Sequence, residues 1–400
     1  MPDTPKAIAR IDAKDLVAAM NFSKRSVEVH PHIKGLGTSL LVVDGDRVTL
    51  QSTNLDVYSS QVLDTVEHEG SAAVCFSIRE ALGLIGKVSR GESATITVDS
   101  SEARIDVSGR VATVALRPVD EFPRFGFSSS RPQQFSATIP FSTWRVLQRV
   151  SYAMSKREAR FTLQAIELQF QQDSLSVTAS DGHRLARCSA PWSPRESDVL
   201  PPKSQDGRRA VVIPSTVIDR LSRWPDDSSD FVLSWGNGHQ IEATSPGCLL
   251  GANDPAGVYP DVDRVIARVL DYNVTLNRRR LLDAARRGSS RNGTLRALRF
   301  DRRKGGLRVS SLCDGEIGVS ELISGPEASM YPLGAFVFGV QAAFLVEALD
   351  KMIGEEVTLA TSPDQQIVIR SEADEMFAII MPIRLDPPKK KATKKGTANA

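Results

Sequence analysis

Runs of alternating apolar and polar residues recur along the chain and predict antiparallel strands. In three segments such a run breaks at a polar turn and then resumes, which predicts a hairpin with one covered face. Val48, Leu175 and Leu307 occupy equivalent positions in these segments and are separated by 127 and 132 residues, so the chain carries a repeat of domain size. The three segments are DRVTLQSTNLDVYSSQVL from Asp46, DSLSVTASDGHRLARCSA from Asp173 and GGLRVSSLCDGEIGVSEL from Gly305.

Helical periodicity precedes and follows each hairpin. Apolar residues that recur at helical spacing, such as Trp144, Leu147 and Val150 three positions apart, predict amphipathic helices. The segments ahead of the hairpins begin at Asp12, Phe141 and Leu276, and the segments behind them begin at Ser77, Pro214 and Gln341. Two further strands follow each second helix, as in SATITVDSSEARIDVSG.

This pattern predicts an α+β fold of three repeated domains, each with two helices packed on antiparallel β-sheet. Linking segments rich in turn residues occur around Glu121 and Tyr259. They predict domain 1 at 1–130, domain 2 at 131–260 and domain 3 at 261–385. Residues 386–400 contain five lysines and offer no apolar face, so we expect a disordered Lys-rich tail.

The composition is that of an ordinary globular protein, with 41% hydrophobic and 24% charged residues among 400. No apolar run approaches the roughly 18 residues needed to cross a bilayer, and the N-terminus lacks the pattern of an export signal, so a cytoplasmic location is expected. The scattered cysteines form no CxxC pair, which argues against a zinc site and a disulfide framework. We expect them to be buried, and we expect no metal and no cofactor. They are Cys75, Cys188, Cys248 and Cys313.

The polar faces of the predicted helices are basic, although the net charge is only +2. One basic helix face is usually no more than solvated. Similar placement in three repeats instead predicts a surface for the phosphate backbone of duplex DNA. Few aromatic residues interleave with these cations, so stacking on single strands is not expected. The basic residues include Lys14, Lys24, Arg25, Lys87, Arg145, Arg149, Lys156, Arg157, Arg278, Arg279, Arg280, Arg286 and Arg287.

The stretch TASDGHRLARCS contains the residue types of a hydrolase site. A catalytic nucleophile needs a base in hydrogen-bond reach and a third group that orients the base. At about 3.3 Å per strand residue, His183 and Cys188 lie too far apart along one strand to share a hydrogen bond. Two interpretations stay open: a hydrolase that uses His183 with Cys188 or Ser189 and a partner from elsewhere, or a polar edge of a binding site.

Several segments resemble the bacterial replicative sliding clamp, the β subunit of DNA polymerase III. SDGHRLARCS resembles that family's TDGHRLA, and MPIRL from Met381 resembles its MPMRL. VYPDVDRVI, DEFPRF and STNLDVYSSQV are similar to its FPDYRRV, DFPNL and TDLEMEM segments, in the same order across residues 8–385. By these matches the chain is identified as a divergent member of that family. The resemblance implies a non-enzymatic processivity factor of the DNA-clamp fold, which closes as a head-to-tail homodimer ring around duplex DNA.

The resemblance also implies a pocket between the second and third domains that receives a short peptide from DNA polymerase and clamp-loader subunits. Its residues would be Leu163, Ser180, Gly182, His183, Arg184, Leu185, Pro260, Val265, Phe344, Ile379, Met381, Pro382, Ile383, Arg384 and Leu385. Apolar and Met side chains would form the cleft, and polar groups would orient the peptide. The DNA-binding residues expected from the resemblance and from the basic helices are Lys24, Arg25, Arg149, Lys156, Arg157, Arg160 and Arg279.

Three departures from the family pattern concern the ring and the end of the chain. Ser289 and Ser290 stand where the family has large apolar residues at the contact between subunits, and Ala112 stands on the expected partner surface in place of an aromatic residue. At roughly 1.5–3 kcal/mol for each buried apolar side chain, these changes predict a weaker dimer contact. An alternative is therefore a clamp-like peptide-binding protein that does not encircle DNA. The lysines of the tail are expected to add nonspecific DNA affinity.

Overall fold

The structure is a computed structural model, in which two compact units are distinguished: Met1–Gln148 with Leu168–Leu175 and Pro191–Gly257, and Arg149–Glu167 with Ser176–Ala190 and Val258–Ala400. It describes residues 6–123, 134–156, 161–204, 207–221, 224, 230–236, 240–255, 257–266, 270, 272–289, 296–303, 306–313, 316–324, 337–362 and 365–385. The predicted tail, with the rest of the chain after 385, lies outside these residues.

The helices of the described residues match the predicted segments, with one short helix in addition. The first helix begins where Asp12 accepts hydrogen bonds from the backbone N–H groups of Lys14 and Asp15, and the second ends at Gly86, whose φ of 70° only glycine adopts readily. They are α1 (Ala13–Ser23), α2 (Ile78–Ile85), α3 (Ser142–Val150), α4 (Ser215–Leu221), α5 (Asp263–Ile266), α6 (Arg278–Ser289) and α7 (Ala342–Lys351).

The described strands are antiparallel wherever they pair. Those of the first repeat are β1 (Ala7–Asp12), β2 (Ser39–Asp44), β3 (Arg47–Thr53), β4 (Val57–Asp64), β5 (Glu67–Phe76), β6 (Ser93–Val98), β7 (Glu102–Val107) and β8 (Arg110–Ala115). Those of the second are β9 (Phe135–Ile139), β10 (Ala165–Phe170), β11 (Ser174–Ser180), β12 (Arg184–Pro191), β13 (Ala210–Pro214), β14 (Phe231–Trp235), β15 (Gln240–Ser245) and β16 (Cys248–Asn253). Those of the third are β17 (Tyr272–Asn277), β18 (Arg296–Arg303), β19 (Gly306–Cys313), β20 (Glu316–Ile323), β21 (Val337–Gln341), β22 (Glu356–Thr361), β23 (Ile367–Arg370) and β24 (Phe377–Ile380).

The three predicted hairpins are present as β3–β4, β11–β12 and β19–β20, and each repeat contains the two predicted helices. The α+β fold of three repeats is therefore confirmed, whereas the domain boundaries at 130 and 260 stay predictions. In the first unit, one sheet has the order β8-β7-β6-β1-β5-β2-β3-β4-β16-β15-β14-β9. The strands that the first repeat contributes to this sheet pack with α1 and α2 around one hydrophobic core. This core includes Leu16, Met20, Leu50 and Ile78.

The second unit contains the strand run β11-β12-β24-β23-β22-β17 and a separate sheet of order β20-β19-β18-β21. The second strands of the first two hairpins, β4 and β12, are equivalent. Each pairs with the last strand of the following repeat, β4 with β16 and β12 with β24. The equivalent strand of the third repeat, β20, and the last strand of the first repeat, β8, are sheet edges among the described residues.

The expectation that Ala112 lies on a partner surface is wrong. Ala112 is fully buried in the core of the first repeat, and its neighbour Val111 is exposed. Successive residues of a strand point to opposite faces, so an error of one position exchanges core and surface. The other interface position, Ser289, is half-buried at the end of α6 and donates a hydrogen bond to the Arg286 carbonyl oxygen, and Ser290 lies outside the described residues.

Candidate functional site

The turn between β11 and β12 is held by two short polar side chains. The Ser180 hydroxyl accepts from the Gly182 N–H at 3.1 Å and donates to the Arg184 carbonyl oxygen at 2.8 Å. The Asp181 Oδ1 accepts from the backbone N–H groups of His183 and Arg184, both at 2.9 Å. Gly182 has a φ of 86°, a conformation that costs other residues free energy. The polar character of this stretch is therefore largely a requirement of the turn.

Arg184 directs a buried cation into the second unit. Its Nε donates to the Asp181 Oδ2 at 2.9 Å, and its Nη1 forms an ion pair with Glu347 of α7. The guanidinium lies over the Phe344 ring at 4.4 Å from the centroid and near the Tyr152 ring at 5.5 Å. Desolvation raises the pKa of the Tyr152 phenol, which stays protonated. Such a paired and stacked guanidinium fixes the position of the half-buried Phe344 side chain.

Strand β24 and the five residues after it lie beside this turn. Arg184 is opposite Ile380 and Leu185 is opposite Ile379, and the Met381 N–H donates to the His183 carbonyl oxygen at 2.8 Å. The chain then continues along β21, where the Ile383 N–H donates to the Gly339 carbonyl oxygen at 2.9 Å. A Cβ at Gly339 would lie 2.4 Å from the Leu385 Cδ2, so a larger residue there would require the Leu385 side chain to move.

The segment before and within α5 is attached to the same unit by three contacts. Tyr259 is buried, and Arg187 of β12 forms an ion pair with Asp263 at 2.5 Å. The Gln366 Nε2 donates to the Val265 carbonyl oxygen at 2.8 Å. These contacts hold Pro260 and Val265, both exposed, on the second unit.

Contacts therefore link most of the expected pocket residues. Met381 is 44% exposed and Val265 37%, and the side chains of Phe344, Pro382, Ile383 and Leu385 are half-buried. Leu185 and Ile379 are buried opposite each other in β12 and β24, Leu163 is also buried, and Ser180 is nearly so. His183 and Arg384 are exposed. The arrangement offers apolar surface bordered by a fixed cation and carboxylates, which suits capture of a peptide with apolar anchors.

The local geometry does not favour a nucleophilic site. Cys188 is buried, and desolvation raises the pKa of its thiol to about 11, so the thiol is neutral at physiological pH. Its Sγ lies 3.9 Å from the Arg149 Nη1, whereas His183 is exposed on the turn at the start of β12. Cys75 and Cys248 are also buried, as predicted, and the Cys313 side chain lies outside the described part of the structure.

Lys24 and Arg25 lie on a short turn after α1 in the first unit. The Arg79 Nη2 donates to the carbonyl oxygens of Lys24 and Val27, both at 3.1 Å, and Arg220 of α4 donates to the Arg25 carbonyl oxygen. The Arg25 Nη1 in turn donates to the Asp219 carbonyl oxygen at 3.1 Å. Burial, with the nearby Arg25 charge, lowers the pKa of Arg220 to about 10, which leaves it protonated at neutral pH. The guanidinium groups of Arg79 and Arg220 thus hold the backbone of this turn, and that of Arg25 links it to α4.

The other expected DNA-binding residues differ in their surroundings. Lys156 and Arg279 are exposed, whereas Arg157 and Arg160 lie outside the described residues. The Arg149 Nη2 forms an ion pair with the buried Asp374 at 2.5 Å, and its Nε donates to the Lys351 carbonyl oxygen at 3.0 Å. Arg149 thereby joins the end of α3 to the end of α7, so its side chain stabilises the second unit.

Sequence reasoning missed Tyr152, Glu347 and Asp374. They contact Arg184 or Arg149 from positions far away in the chain, and only the helical periodicity of the α7 segment hinted that Glu347 lies on the same face as Phe344. Among the described residues, no group of three or more His, Cys, Asp or Glu side chains is arranged to hold a metal ion. No described helix combines the length and apolarity that a membrane span requires.

Comparisons with known proteins agree with the repeat architecture. The sequence profile of the DNA polymerase III beta subunit, central domain, matches residues 141–246. The chain is 24% identical over 379 residues to the beta sliding clamp of Pseudomonas putida, covering 94% of this chain and 99% of the relative. It is 26% identical over 381 residues to that of Pseudomonas aeruginosa, with the same coverage. The crystal structure of a sliding clamp from P. aeruginosa bound to griselimycin has the same fold, with a TM-score of 0.82 at 21% identity, covering 95% of this chain and 100% of that chain.

Proposed function

We propose that this chain, a divergent relative of the β subunit of DNA polymerase III, is a DNA sliding clamp. Two copies close head to tail around duplex DNA, and the surface around Arg184 tethers DNA polymerase, clamp-loader subunits and other DNA-handling proteins. The protein is cytoplasmic and non-enzymatic, so that loading requires a separate ATPase. The observation that carries the proposal is the repeated strand pairing between consecutive repeats, because among the described residues it leaves one hairpin strand, β20, and one last strand, β8, without such a pairing.

We call the pairing of a hairpin strand with the last strand of the next repeat a joint. The two joints within the chain support a third joint between two copies. β4 pairs with β16 and β12 pairs with β24, so the hairpin strand of one repeat always meets the last strand of the next. β20 and β8 are the two strands that lack this pairing among the described residues. β20 carries Ile317 and Val319, which are 53% and 51% exposed, and β8 carries Val111, which is 43% exposed. An exposed apolar edge is a ready template for another strand.

Equivalent residues fix the expected register of the third joint. Leu249 lies opposite Ser60 in the first joint. Ser60 pairs with Gln51 and Ser320 pairs with Ser310 in the corresponding hairpins, which makes Ser320 the counterpart of Ser60. Cys248 follows the turn after Ser245 as Arg110 follows the turn after Val107, which makes Val111 the counterpart of Leu249. We therefore expect Val111 of one copy to lie opposite Ser320 of the other.

The surface around Arg184 supports the tethering function. Apolar groups of Val265, Phe344 and Met381 remain accessible while Arg184 and its two carboxylates are fixed, which leaves little to reorganise when a peptide binds. The clamp of P. aeruginosa binds griselimycin. We propose that this chain binds griselimycin at the same residues, which makes the compound a probe of the pocket.

Exposed cations on the helices and the α1 turn support the DNA-binding function. Arg145 of α3 and Arg279 and Arg280 of α6 are exposed and form no ion pair with the part of the chain that the structure describes. With Lys24, Arg25 and Lys156 they would contact phosphate without reading bases. Arg157 and Arg160 are added to these DNA-binding residues from the sequence alone. Arg149 instead supports DNA binding by linking α3 to α7.

Retention on circular DNA tests the proposal. The protein is loaded onto a nicked circle with a clamp loader and ATP, freed of unbound protein, and then exposed to a restriction enzyme that cuts the circle once. A threaded ring stays on the circle at high salt and leaves the linear DNA through its ends. Protein held only by phosphate contacts leaves both forms as salt rises, because such contacts release counterions. The second result, together with intact griselimycin binding, would favour the clamp-like peptide-binding protein that does not encircle DNA.

A further inference from the structure

We propose that one face of the sheet β20-β19-β18-β21 binds an acidic segment of the partner protein whose apolar residues occupy the surface around Arg184. We call it the basic face, and its residues are Arg299, Asp301 and Arg303 of β18 with Arg308 of β19. The inference rests on the proposed function and deepens it, because it adds a charge requirement to the apolar anchors of a tethered partner.

The basic face lies on the side of the sheet away from α6. Leu298 of β18 is buried against that helix, since a Cβ at Gly288 of α6 would lie 2.4 Å from the Leu298 Cδ2. Successive residues of a strand point to opposite sides of the sheet. Arg299, Asp301 and Arg303 therefore point away from α6.

The basic face carries more positive charge than its own carboxylate can balance. Asp301 is the one acid of β18 and β19, and its Oδ2 forms an ion pair with the Arg303 Nη2 at 2.5 Å. Arg308 lies directly opposite Asp301 in the strand pairing and is exposed, whereas Arg299 is half-buried. Within the described part of the chain, Arg299 and Arg308 form no ion pair. Three cations and one carboxylate leave a formal charge of +2 on this face.

The basic face is continuous with two residues of the expected peptide pocket. Arg299 pairs with Gly339 of β21. A Cβ at Gly339 would lie 2.4 Å from the Leu385 Cδ2 and 3.2 Å from the Ile383 Cγ1, so both side chains cover β21 on the side where Arg299 lies. A peptide that reaches Ile383 and Leu385 therefore has the basic face as its next surface.

The position of these cations favours a protein segment over a structural role or DNA. β18 and β19 are the inner strands of their sheet, so the arginines do not protect an exposed edge. Like charges at neighbouring positions of adjacent strands destabilise a sheet, which leaves their presence unexplained by folding. The cations of α6 that we expect to contact DNA, Arg279 and Arg280, lie on the other side of this sheet. A duplex that contacts α6 therefore leaves the basic face uncovered.

Griselimycin with an acidic or a neutral tail tests the proposal. The compound is linked through about 15 Gly and Ser residues, which span roughly 20 Å, to Asp-Glu-Asp-Glu or to Asn-Gln-Asn-Gln. Two exposed ion pairs change an affinity by about 2- to 30-fold, so the wild-type protein should bind the acidic conjugate more tightly by a factor in this range, as calorimetry at low salt would show. The preference should shrink as salt rises, because exposed charges are screened.

Two double variants with the same change of charge locate the effect. Arg299→Gln with Arg308→Gln should abolish the preference for the acidic conjugate, whereas Arg279→Gln with Arg280→Gln on α6 should keep it. The single variant Arg308→Glu should also abolish the preference. It should move the midpoint of thermal unfolding by less than about 2 °C, because Arg308 is exposed, so the test does not depend on a tolerated change at the half-buried Arg299.

Equal binding of the two conjugates by the wild-type protein, or a preference that persists in both basic-face variants, overturns the proposal. If both conjugates bind alike and Arg308→Glu instead weakens binding to linear duplex DNA, the basic face contacts phosphate and the proposal is wrong. If griselimycin without a tail does not bind, the proposed pocket is refuted separately. The acidic conjugate then reports on the basic face alone, and a preference that Arg308→Glu abolishes still supports an acidic occupant.

Discussion

The hairpin turn of the first repeat, residues 53–57, and that of the second, residues 180–184, hold their backbones with the same hydrogen bonds. In the first, the Thr53 hydroxyl accepts from the Leu55 N–H and donates to the Val57 carbonyl oxygen, both at 3.0 Å. Ser180 does the same in the second turn, at 3.1 and 2.8 Å. The Asn54 Oδ1 accepts from the Val57 N–H at 2.9 Å, as Asp181 does from Arg184.

The agreement extends to the strand that joins the next repeat. The Asn253 N–H donates to the Asp56 carbonyl oxygen at 3.0 Å, and the Met381 N–H donates to the His183 carbonyl oxygen at 2.8 Å. The backbone frame of the candidate site thus exists twice. This frame joins consecutive repeats, and the Asp181 carboxylate, which lies in the stretch that suggested a hydrolase, is part of it.

The side chains on the frame differ, and they decide which joint can bind a partner. In the first joint Tyr58 covers Gly251, where a Cβ would lie 2.1 Å from its ring. Its hydroxyl donates to Glu242 at 2.5 Å. In the second joint the equivalent residue is Leu185 opposite Ile379, and Arg184 replaces Val57. The first joint is closed by an aromatic ring, whereas the second presents apolar surface beside a fixed cation.

The largest effect is expected when the cation unique to the second joint is removed. Arg184→Met leaves the carboxylates of Asp181 and Glu347 without their partner. Breaking a buried ion pair costs about 3–5 kcal/mol, and because Glu347 is 39% exposed we expect about 2–4 kcal/mol in the free energy of unfolding. Urea denaturation measures this, and the double variant Arg184→Met with Glu347→Gln should recover part of the loss. A loss no larger than that of Val57→Ala would contradict the assigned role.

Removing the hydroxyl from each turn should cost the same in both joints. Ser180→Ala and Thr53→Val each delete one donor and one acceptor of the turn, so we expect about 1–3 kcal/mol of destabilisation for each. Urea denaturation of the two variants side by side checks this. Values that differ by more than about 1 kcal/mol would mean that the two frames are not equivalent.

The residues at positive φ differ between the two turns and should respond in opposite directions. Gly182→Ala places a Cβ at a φ of 86° and should cost about 1–2 kcal/mol. Leu55 adopts a φ of 74°, so Leu55→Gly relieves that strain, and after the entropy of glycine in the unfolded chain the net gain should be about 0.5 kcal/mol. Thermal unfolding of both variants tests the sign, and a destabilised Leu55→Gly would show that the first turn is unstrained.

The smallest effect is expected from exchanging the residue that follows the last strand. Met381→Asn gives the second joint the side chain that Asn253 supplies in the first joint, and Met381 is 44% exposed. Stability should change by less than about 0.5 kcal/mol. Griselimycin affinity should fall about fivefold, since about 1 kcal/mol of apolar contact is lost, as calorimetry would show. Unchanged affinity would place the compound elsewhere.

The repeats could be predicted from the sequence because they rest on local periodicity. Strand alternation, helical spacing and polar turns recur near Val48, Leu175 and Leu307, and the structure contains every predicted helix and hairpin. The ion pair of Arg184 with Glu347 could not be predicted, because tertiary packing brings Glu347 to Arg184 over 163 residues. Ala112 was assigned to the wrong face because β8 has small or apolar residues on both faces, so that its alternation is ambiguous.

A disulfide across the proposed third joint tests the central claim most directly. In a Cys313→Ser background, Val111→Cys and Ser320→Cys are combined and oxidised, since opposite residues of antiparallel strands lie within the Cα separation that a disulfide requires. We expect a covalent dimer in which both contacts between the two copies are cross-linked. It should form at low protein concentration and disappear on reduction. The combination of Val111→Cys with Ile317→Cys should give little covalent dimer. No cross-linked dimer, or preferential linkage through Ile317→Cys, would contradict the account.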